Sequence, residues 1–162
     1  MGSGKTTSGK RLAAALNDPF FDLDHQIADR TGMSIPAYFA ANGEEAFRQL
    51  ERDHLQTFDY PADCVISTGG GTPCYFNNME WMNQHGLTVF IDMPPLALAK
   101  RLEQGKQKRP LLKDLDENAM VQFIADKLHE RLPFYNKAKL IVNGINLSTE
   151  LLRTAVLNTS AK

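Results

Sequence analysis

The sequence predicts an α/β fold in which a parallel sheet is covered by helices on both faces. Short apolar runs alternate with amphipathic helical segments along the whole chain, and such alternation produces parallel sheets. A glycine-rich segment, 2–4, leads directly into the first helical segment. Two acids, Asp22 and Asp24, follow the first apolar run, at the end of a strand where open α/β sheets bind their ligands.

Length and composition narrow the possibilities. A chain of 162 residues with 43% apolar and 23% charged residues is expected to form one globular domain, 1–162. The net charge of −1 argues against a general nucleic-acid binder. No apolar run approaches membrane-spanning length, so we expect no membrane partner. Cys64 and Cys74 lack metal-ligand spacing and indicate a reducing, cytoplasmic compartment, with Cys64 as a small core residue.

The segment 1–7, Met-Gly-Ser-Gly-Lys-Thr-Thr, predicts a phosphate-binding loop. It matches the second half of the pattern G-x-x-x-x-G-K-[ST]. Glycines allow consecutive backbone N–H groups to turn toward an anion, and the helix that follows adds the positive end of its dipole. We expect Lys5 to reach the β- and γ-phosphates of a nucleotide, and the Thr6 hydroxyl to ligate Mg²⁺.

The first half of that pattern lies outside the sequence. The first glycine of the loop, and the strand that should precede the loop, would both lie upstream of Met1. We therefore expect a sheet of five strands whose first strand is missing here, and a natural polypeptide that begins upstream of Met1. A Gly-Ser remnant of a tag is the alternative, but the helical pattern of 5–16 continues from the loop without a break.

The remaining elements follow from periodicity and from turn residues. Apolar and β-branched runs predict strands over 19–22, 64–68, 88–92 and 139–142. Helical spacing of apolar residues predicts helices over 24–30, 34–41, 43–57, 77–85, 95–104, 117–131 and 148–157. We expect 133–135 to turn the chain after the sixth of these, 117–131.

Two pairs of charged residues are candidates for function. Asp22 and Asp24 lie at the end of the first strand, although Asp24 could instead be the N-cap of the next helix. Arg48 and Glu51 are three positions apart on one helix face, where a surface ion pair is the common alternative.

Two loops are candidates for ligand contact. Gly69, Gly70 and Gly71 follow a buried strand, and bare backbone there indicates a ligand in close approach. The segment 105–118 is basic and lacks apolar periodicity, so we predict a mobile lid over a phosphate site; a solvated surface loop is the alternative.

Taken together, these motifs resemble those of the shikimate kinases, which are small P-loop kinases. The resemblance spans the whole chain and rests on motifs in the family's order. The motifs are the Walker A loop 1–7, the D-x-D motif 21–24, the Gly-Glu-x-x-Phe-Arg-x-x-Glu helix 43–51, the glycine loop 69–71, the lid motif 109–112 and the Arg-x-Pro-x-Tyr segment 131–135. The resemblance implies a three-layer P-loop kinase fold with substrate-binding helices at about 24–57 and a lid at about 105–118.

The resemblance also implies the reaction and the groups that serve it. The family phosphorylates the 3-hydroxyl of shikimate with ATP and Mg²⁺. The resemblance also implies that the protein is a monomer. Lys5, Asp24 and Arg109 would be catalytic, with Asp24 as the base. Nucleotide would be held by Gly2, Ser3, Gly4, Lys5, Thr6, Thr7, Arg101 and Arg109. Thr6 and Asp22 would hold the metal, Asp22 through water.

Substrate contacts are implied in the same way. Arg48 and Arg131 would bind the carboxylate of shikimate, and Glu51 would orient Arg48. The remaining contacts would be the ring faces of Phe39 and Phe47, the carboxylate of Asp24, and the backbone of Gly69, Gly70 and Gly71.

Two other functions remain open from the residues alone. One is a different small P-loop kinase, of the gluconate or nucleoside-monophosphate type, against which Arg48, Arg131 and the triple glycine argue. The other is a shikimate-kinase-like protein that binds ligand without turnover, which only the incomplete loop favours.

Overall fold

A computed structural model of the chain describes residues 2–103 and 115–160. Within these ranges the helices and strands alternate as the sequence predicts. The helices are α1 Lys5–Leu16, α2 Leu23–Thr31, α3 Ile35–Thr57, α4 Asn78–His85, α5 Pro95–Glu103, α6 Glu117–Tyr135 and α7 Thr149–Ser160. The strands are β1 Phe20–Asp22, β2 Val65–Ser67, β3 Val89–Asp92 and β4 Leu140–Asn143, and a short 3₁₀ helix spans Thr72–Cys74.

The described strands form two parallel pairs. β1 pairs with β2 in the register Phe20 to Val65, and β3 pairs with β4 in the register Val89 to Leu140. Among the described residues, β2 and β3 share no hydrogen-bonded ladder, so the single sheet that the alternation predicts is here two sheets of two strands. The fifth strand that we expect stays a prediction.

Helix α1 connects the two pairs of strands. It packs against β1 and β2 and also against α7, which in turn packs against β4. Its buried face carries Leu12 and Ala13, as the apolar spacing predicts. Because α1 begins directly at the phosphate loop, this packing fixes the position of the loop relative to both pairs of strands.

The helices α2 and α3 enclose one of two apolar clusters. Leu23, Ile27, Phe47 and Leu55 form its buried centre. α3 is interrupted at Gly43, whose φ of 81° is non-helical, so the two helical segments predicted at 34–41 and 43–57 are present as the two parts of one kinked helix. The second cluster joins α5 to α6 through Leu98, Ala99, Leu102, Met120 and Ile124, with Met93.

Two predictions about local structure are wrong. The segment 133–135 does not turn the chain, because α6 continues through Pro133 to Tyr135. Proline removes a helical hydrogen bond at that point, but the Tyr135 hydroxyl donates to the Gly70 carbonyl at 2.5 Å and holds the last turn in place. Cys64 is half-buried and precedes β2 instead of lying in a buried strand.

The described helices give no candidate for a transmembrane segment. None of those in 2–103 and 115–160 combines the length and apolarity needed to cross a bilayer.

Candidate active site

The phosphate loop meets α1 at Gly4. Gly4 has a φ of 84° and is the residue that precedes the helix, and its carbonyl accepts a hydrogen bond from the Ser8 N–H at 2.8 Å. A residue with a side chain would be strained at that φ, so glycine is required there. The first turn of α1 then presents Lys5, whose ammonium is half-buried. Burial lowers the pKa of Lys5, and Arg131 acts in the same direction while Asp24 opposes it.

Three oxygen-bearing side chains meet beside the loop. The Thr6 hydroxyl donates a hydrogen bond to Asp22 Oδ2 at 2.9 Å and lies 3.4 Å from the Ser67 hydroxyl. Asp22 also caps α2, because its Oδ1 accepts from the His25 N–H at 3.3 Å. Asp22 is therefore the N-cap, and the alternative in which Asp24 caps this helix is wrong.

Asp24 lies in the first turn of α2, between the phosphate loop and α3. Its carboxylate is half-buried, and this burial raises its pKa, with Glu51 and then Asp22 acting in the same direction. Asp24 Oδ1 and Glu51 Oε1 lie 3.1 and 3.0 Å from the point that a Cβ on Gly69 would occupy. Gly69 therefore packs closely against both acids, and a side chain at this position would press on them.

Arg48 is bound on two sides by carboxylates. Its Nη1 donates to Glu51 Oε2 at 2.9 Å, and its Nε and Nη2 donate to Glu44 Oε1 at 3.3 and 3.1 Å. Burial alone would lower the pKa of Arg48, but Glu51 and Glu44 outweigh it and the pKa is raised. The aromatic ring of Tyr75 lies 4.3 Å from its guanidinium carbon, within the range of a cation–π contact. The guanidinium is therefore charged and fixed in position.

Glu51 is itself held by a buried network. It is 0% exposed, and its Oε1 accepts a hydrogen bond of 2.5 Å from Thr72, which is also 0% exposed. The Thr72 carbonyl accepts from Asn78, whose Oδ1 accepts from Gln56. This network ties α3 to the 3₁₀ helix and to α4, so Glu51 orients Arg48 as a surface ion pair could not.

The triple glycine lies against Arg48 and Tyr135. A Cβ on Gly71 would lie 2.6 Å from Arg48 Nη2 and 2.7 Å from Nη1. Gly70 presents its carbonyl to the Tyr135 hydroxyl at 2.5 Å. The protein's own side chains thus approach these glycines closely, and the ligand contact that the sequence predicts for them stays a prediction.

Arg131 is on α6 and faces the same region. It is half-buried. Burial lowers the pKa of Lys5 and raises the pKa of Cys74 and of Tyr135, and the charge of Arg131 adds to the first shift and opposes the other two. Within the described residues, no carboxylate lies within 4.0 Å of it. Arg131 is therefore a cation available to an anionic ligand.

The two predicted aromatic residues differ in exposure. Phe47 is 2% exposed and belongs to the apolar cluster of α2 and α3, whereas Phe39 is half-buried. Their rings lie 4.5 Å apart, and both lie within 5.6 Å of the Arg48 guanidinium carbon. Only Phe39 retains a substantial surface for a ligand, and Phe47 supports it from below.

Arg101 connects the phosphate loop to the end of β4. Its guanidinium donates to the Ser3 carbonyl at 3.4 Å, to Met93 Sδ at 3.1 Å and to the Gly144 carbonyl at 3.3 Å. The side chain stays exposed. Arg109 and most of the predicted lid 105–118, namely 105–114, lie outside the described residues.

Sequence reasoning missed three contributors to this site. Thr72 and Asn78 are fully buried polar residues, and Tyr75 contacts both Arg48 and Glu44. The signal for Thr72 was its position directly after the glycine loop, but nothing in the spacing of Thr72 and Asn78 indicated burial. Tyr75 lies 27 positions from Arg48, a distance over which sequence periodicity carries no information.

Comparison with known proteins identifies the family. A family model described as shikimate kinase matches residues 1–160. A shikimate kinase from Bacteroides fragilis is 46% identical over 141 residues, which are 87% of this chain and 79% of that protein. The chain belongs to the shikimate kinase family. The resemblance predicted from the ordered motifs is confirmed.

Solved structures of shikimate kinases share the fold. The 1.7 Å crystal structure from Bacteroides thetaiotaomicron has a TM-score of 0.86 and 41% identity, covering 99% of this chain and 92% of its own. A shikimate kinase from Acinetobacter baumannii in complex with shikimate has a TM-score of 0.81 and 31% identity, covering 99% and 88%. The predicted α/β P-loop kinase fold is confirmed for this member of the shikimate kinase family.

Proposed function

We propose that this chain transfers the γ-phosphoryl group of ATP to the 3-hydroxyl of shikimate, giving shikimate 3-phosphate and ADP. One observation carries the proposal. Asp24 lies between the phosphate loop and Arg48. The charge of Asp24 opposes the lowering of the pKa of Lys5. The charge of Glu51, which pairs with Arg48, in turn raises the pKa of Asp24. A phosphate-binding lysine, a carboxylate base and a carboxylate-binding arginine therefore share one site.

Asp24 serves as the base in this proposal. The oxygen of the 3-hydroxyl attacks the γ-phosphorus, the bond to the β–γ bridging oxygen breaks, ADP leaves, and the hydroxyl proton passes to Asp24. Burial raises the pKa of this carboxyl above its ordinary value, which makes its carboxylate a better proton acceptor. Lys5, and Arg109 of the lid, would neutralise charge on the transferred group.

The acceptor carboxylate would bind between Arg48 and Arg131. A guanidinium binds a planar carboxylate through two parallel hydrogen bonds, and Arg48 is fixed for this by Glu51. Phe39, supported by Phe47, would contact the ring. The loop of Gly69, Gly70 and Gly71 would form the opposite wall.

Thr6 and Asp22 suit Mg²⁺. The metal prefers oxygen ligands and commonly takes one or two from the protein, with the rest from water and phosphate. The Thr6 hydroxyl and Asp22 carboxylate lie 2.9 Å apart, and no cluster of three metal-binding side chains occurs in the described ranges. When bound there, Mg²⁺ supplies positive charge to the β- and γ-phosphates. Gly2, Ser3, Gly4 and Thr7 would wrap the phosphates, and Arg101 would pack on the adenine.

The remaining expectations belong to the same proposal. We expect the chain to work as a monomer in the cytoplasm, where its two free cysteines, Cys64 and Cys74, would stay reduced. The basic segment 105–118 would close over both substrates and exclude water from the transferring phosphate.

An ADP-release assay with matched acceptors tests the proposal. With ATP and Mg²⁺, release should be fast with shikimate and near background with gluconate, a nucleoside monophosphate or no acceptor. The Asp24→Asn variant should lose the shikimate-dependent release. Phosphorylation of gluconate or a nucleotide, with none of shikimate, would refute the proposal, and shikimate binding without turnover would indicate a non-catalytic binding protein.

A further inference from the structure

Arg48 has two carboxylate partners that differ in accessibility. Glu51, which takes Nη1, has a side chain only 1% exposed, whereas the side chain of Glu44, which takes Nε and Nη2, is 56% exposed. Glu51 is enclosed by Thr72 and the glycine loop and cannot leave. Glu44 lies one turn before Arg48 on α3, at the rim of the site. Its side chain can therefore move into solvent.

Tyr75 holds Glu44 in that position. Its hydroxyl donates to Glu44 Oε1 at 2.8 Å, so this single oxygen accepts from the phenol and from two nitrogens of Arg48. These hydrogen bonds, from Tyr75 first and then from Arg48, lower the pKa of Glu44. A carboxylate therefore already occupies one donor edge of Arg48 when no ligand is bound.

We propose that Glu44 is an internal competitor for the acceptor substrate, latched by Tyr75, and that the carboxylate of the substrate must displace it from Arg48. This rests on the proposed function, in which Arg48 binds the acceptor carboxylate. A guanidinium has only five N–H donors in a fixed plane. Glu44 occupies the Nε–Nη2 edge of Arg48 and Glu51 takes a single hydrogen of Nη1, so an incoming carboxylate can bind the Nε–Nη2 edge as a fork only by replacing Glu44, the partner that is free to move.

The competition should weaken the binding of a ligand that carries a carboxylate and should not affect a ligand that lacks one. The Glu44 side of this pair is exposed, and an ion pair open to solvent is worth at most about 1 kcal/mol, so Glu44→Gln should tighten shikimate binding about two- to fivefold. Tyr75→Phe keeps the ring over Arg48 and removes only the latch, so it should tighten binding by a smaller factor. The methyl ester of shikimate cannot replace one anion with another, and its affinity should change in neither variant.

Calorimetric titration of the full chain with shikimate, and separately with its methyl ester, tests the proposal. Glu45→Gln is the matched control, because Glu45 is the exposed neighbour of Glu44 and removes the same charge. The proposal predicts tighter shikimate binding in Glu44→Gln and Tyr75→Phe and no change in Glu45→Gln.

Weaker shikimate binding in Glu44→Gln would overturn the proposal, because Glu44 would then orient Arg48 for the substrate. Equal tightening in Glu44→Gln and Glu45→Gln, or equal tightening for the ester, would also overturn it, since general electrostatics would suffice. Arg48→Ala separates this from the proposed function: if Arg48→Ala weakens shikimate binding and Glu44→Gln does not tighten it, only the competitor role fails. If Arg48→Ala leaves binding unchanged, the assigned carboxylate site fails as well.

Discussion

The hydroxyl of Thr72 donates a hydrogen bond of 2.5 Å to Oε1 of Glu51, and both side chains are 0% exposed. The other oxygen of Glu51 accepts from Arg48. The position of the arginine therefore depends on a threonine that touches no ligand in the proposed reaction. A buried carboxylate keeps its charge only while its oxygens are paired, so this contact links stability to substrate binding.

Thr72→Val should lower both stability and shikimate affinity. The substitution keeps the shape but leaves Oε1 of Glu51 without its donor, which costs about 1–3 kcal/mol. In a chain of this size each kcal/mol lowers Tm by about 2–4 °C. Thr57→Val is the control, because Thr57 is exposed and, among the described residues, its hydroxyl bonds only to the backbone of its own helix. Equal Tm values for the two variants, measured by calorimetry, would contradict the role assigned to Thr72.

Arg48→Ala and Arg131→Ala should each weaken shikimate binding far more than ATP binding. A charge-assisted contact contributes about 1.5–3 kcal/mol, or about one to two decades in Kd. Arg48→Ala also leaves Glu51 without its charged partner. Arg48→Lys, which retains a cation but not the paired donors of a guanidinium, should therefore be measured beside it. Arg52→Ala is the control, since Arg52 pairs with Asp53 and lies over the ring of Phe76. Unchanged shikimate affinity in both alanine variants would place the carboxylate elsewhere.

Gly71→Ala should weaken shikimate binding without unfolding the chain. Its φ of −85° suits any residue, but the added methyl group would lie 2.6 Å from Arg48 Nη2. The guanidinium must shift to relieve that contact, so we expect a rise in KM for shikimate with kcat less affected. At Gly86 an added Cβ comes no closer than 4.0 Å to another atom, and Gly86→Ala should leave KM unchanged. Equal KM values in the two variants would show that Arg48 tolerates the methyl group.

Asp24→Asn should abolish turnover and at the same time stabilise the fold at pH 7. A carboxyl whose folded pKa is raised favours its protonated form in the folded state, so its charge destabilises the fold above that pKa. The pKa of Asp24 is raised by burial, by Glu51 and by Asp22, and the neutral amide removes all three penalties. As pH falls through the raised pKa toward the ordinary value of about 3.9, the stability of the wild type should approach that of the variant. Paired melts at pH 7 and pH 4.5 measure this, and a variant that is less stable at pH 7 would refute it.

His54 should make the fold sensitive to mild acid. Its side chain is 6% exposed, and in the described residues its Nε2 has no hydrogen-bond partner. Burial and then Arg30 lower the pKa of His54, so the unfolded chain binds a proton more readily. The stability due to neutral His54 is therefore complete above the ordinary pKa of about 6.5 and is lost as pH falls below it.

The measurement is the change in Tm between pH 7.5 and pH 5.5. The Tm of His54→Leu should fall less than that of the wild type over this range. The Tm of His85→Leu should fall as much as that of the wild type, because His85 is exposed. Asp29 and Asp59 lie in the same cleft of about 550 Å³ as His54 and Arg30, so the difference between variants is the quantity to compare. An identical pH dependence in the wild type and His54→Leu would remove His54 as the sensor.

Much of the fold and part of the site could be predicted from the sequence because they depend on neighbours along the chain. Three features of the fold are local: the alternation of helical and strand periodicity, the helix cap at Ser34 and the helix interruption at Gly43. The structure has each of them. The phosphate loop could be recognised because its residue types are dictated by an anion and a helix terminus. Lys5, Thr6 and Asp24 follow from position at a helix start or a strand end.

The tertiary structure alone decided which polar groups are buried and which charges are paired. Asp22 rather than Asp24 caps α2, α6 continues through Pro133 because Tyr135 is anchored on Gly70, and Glu44 joins Tyr75 on Arg48. Each of the last two contacts joins residues at least 31 positions apart, and their formation depends on how helices and loops pack around the glycine loop. Local periodicity sets where a helix begins and which face is apolar, whereas the partner of a charged side chain is set by what packing brings within about 3 Å of it.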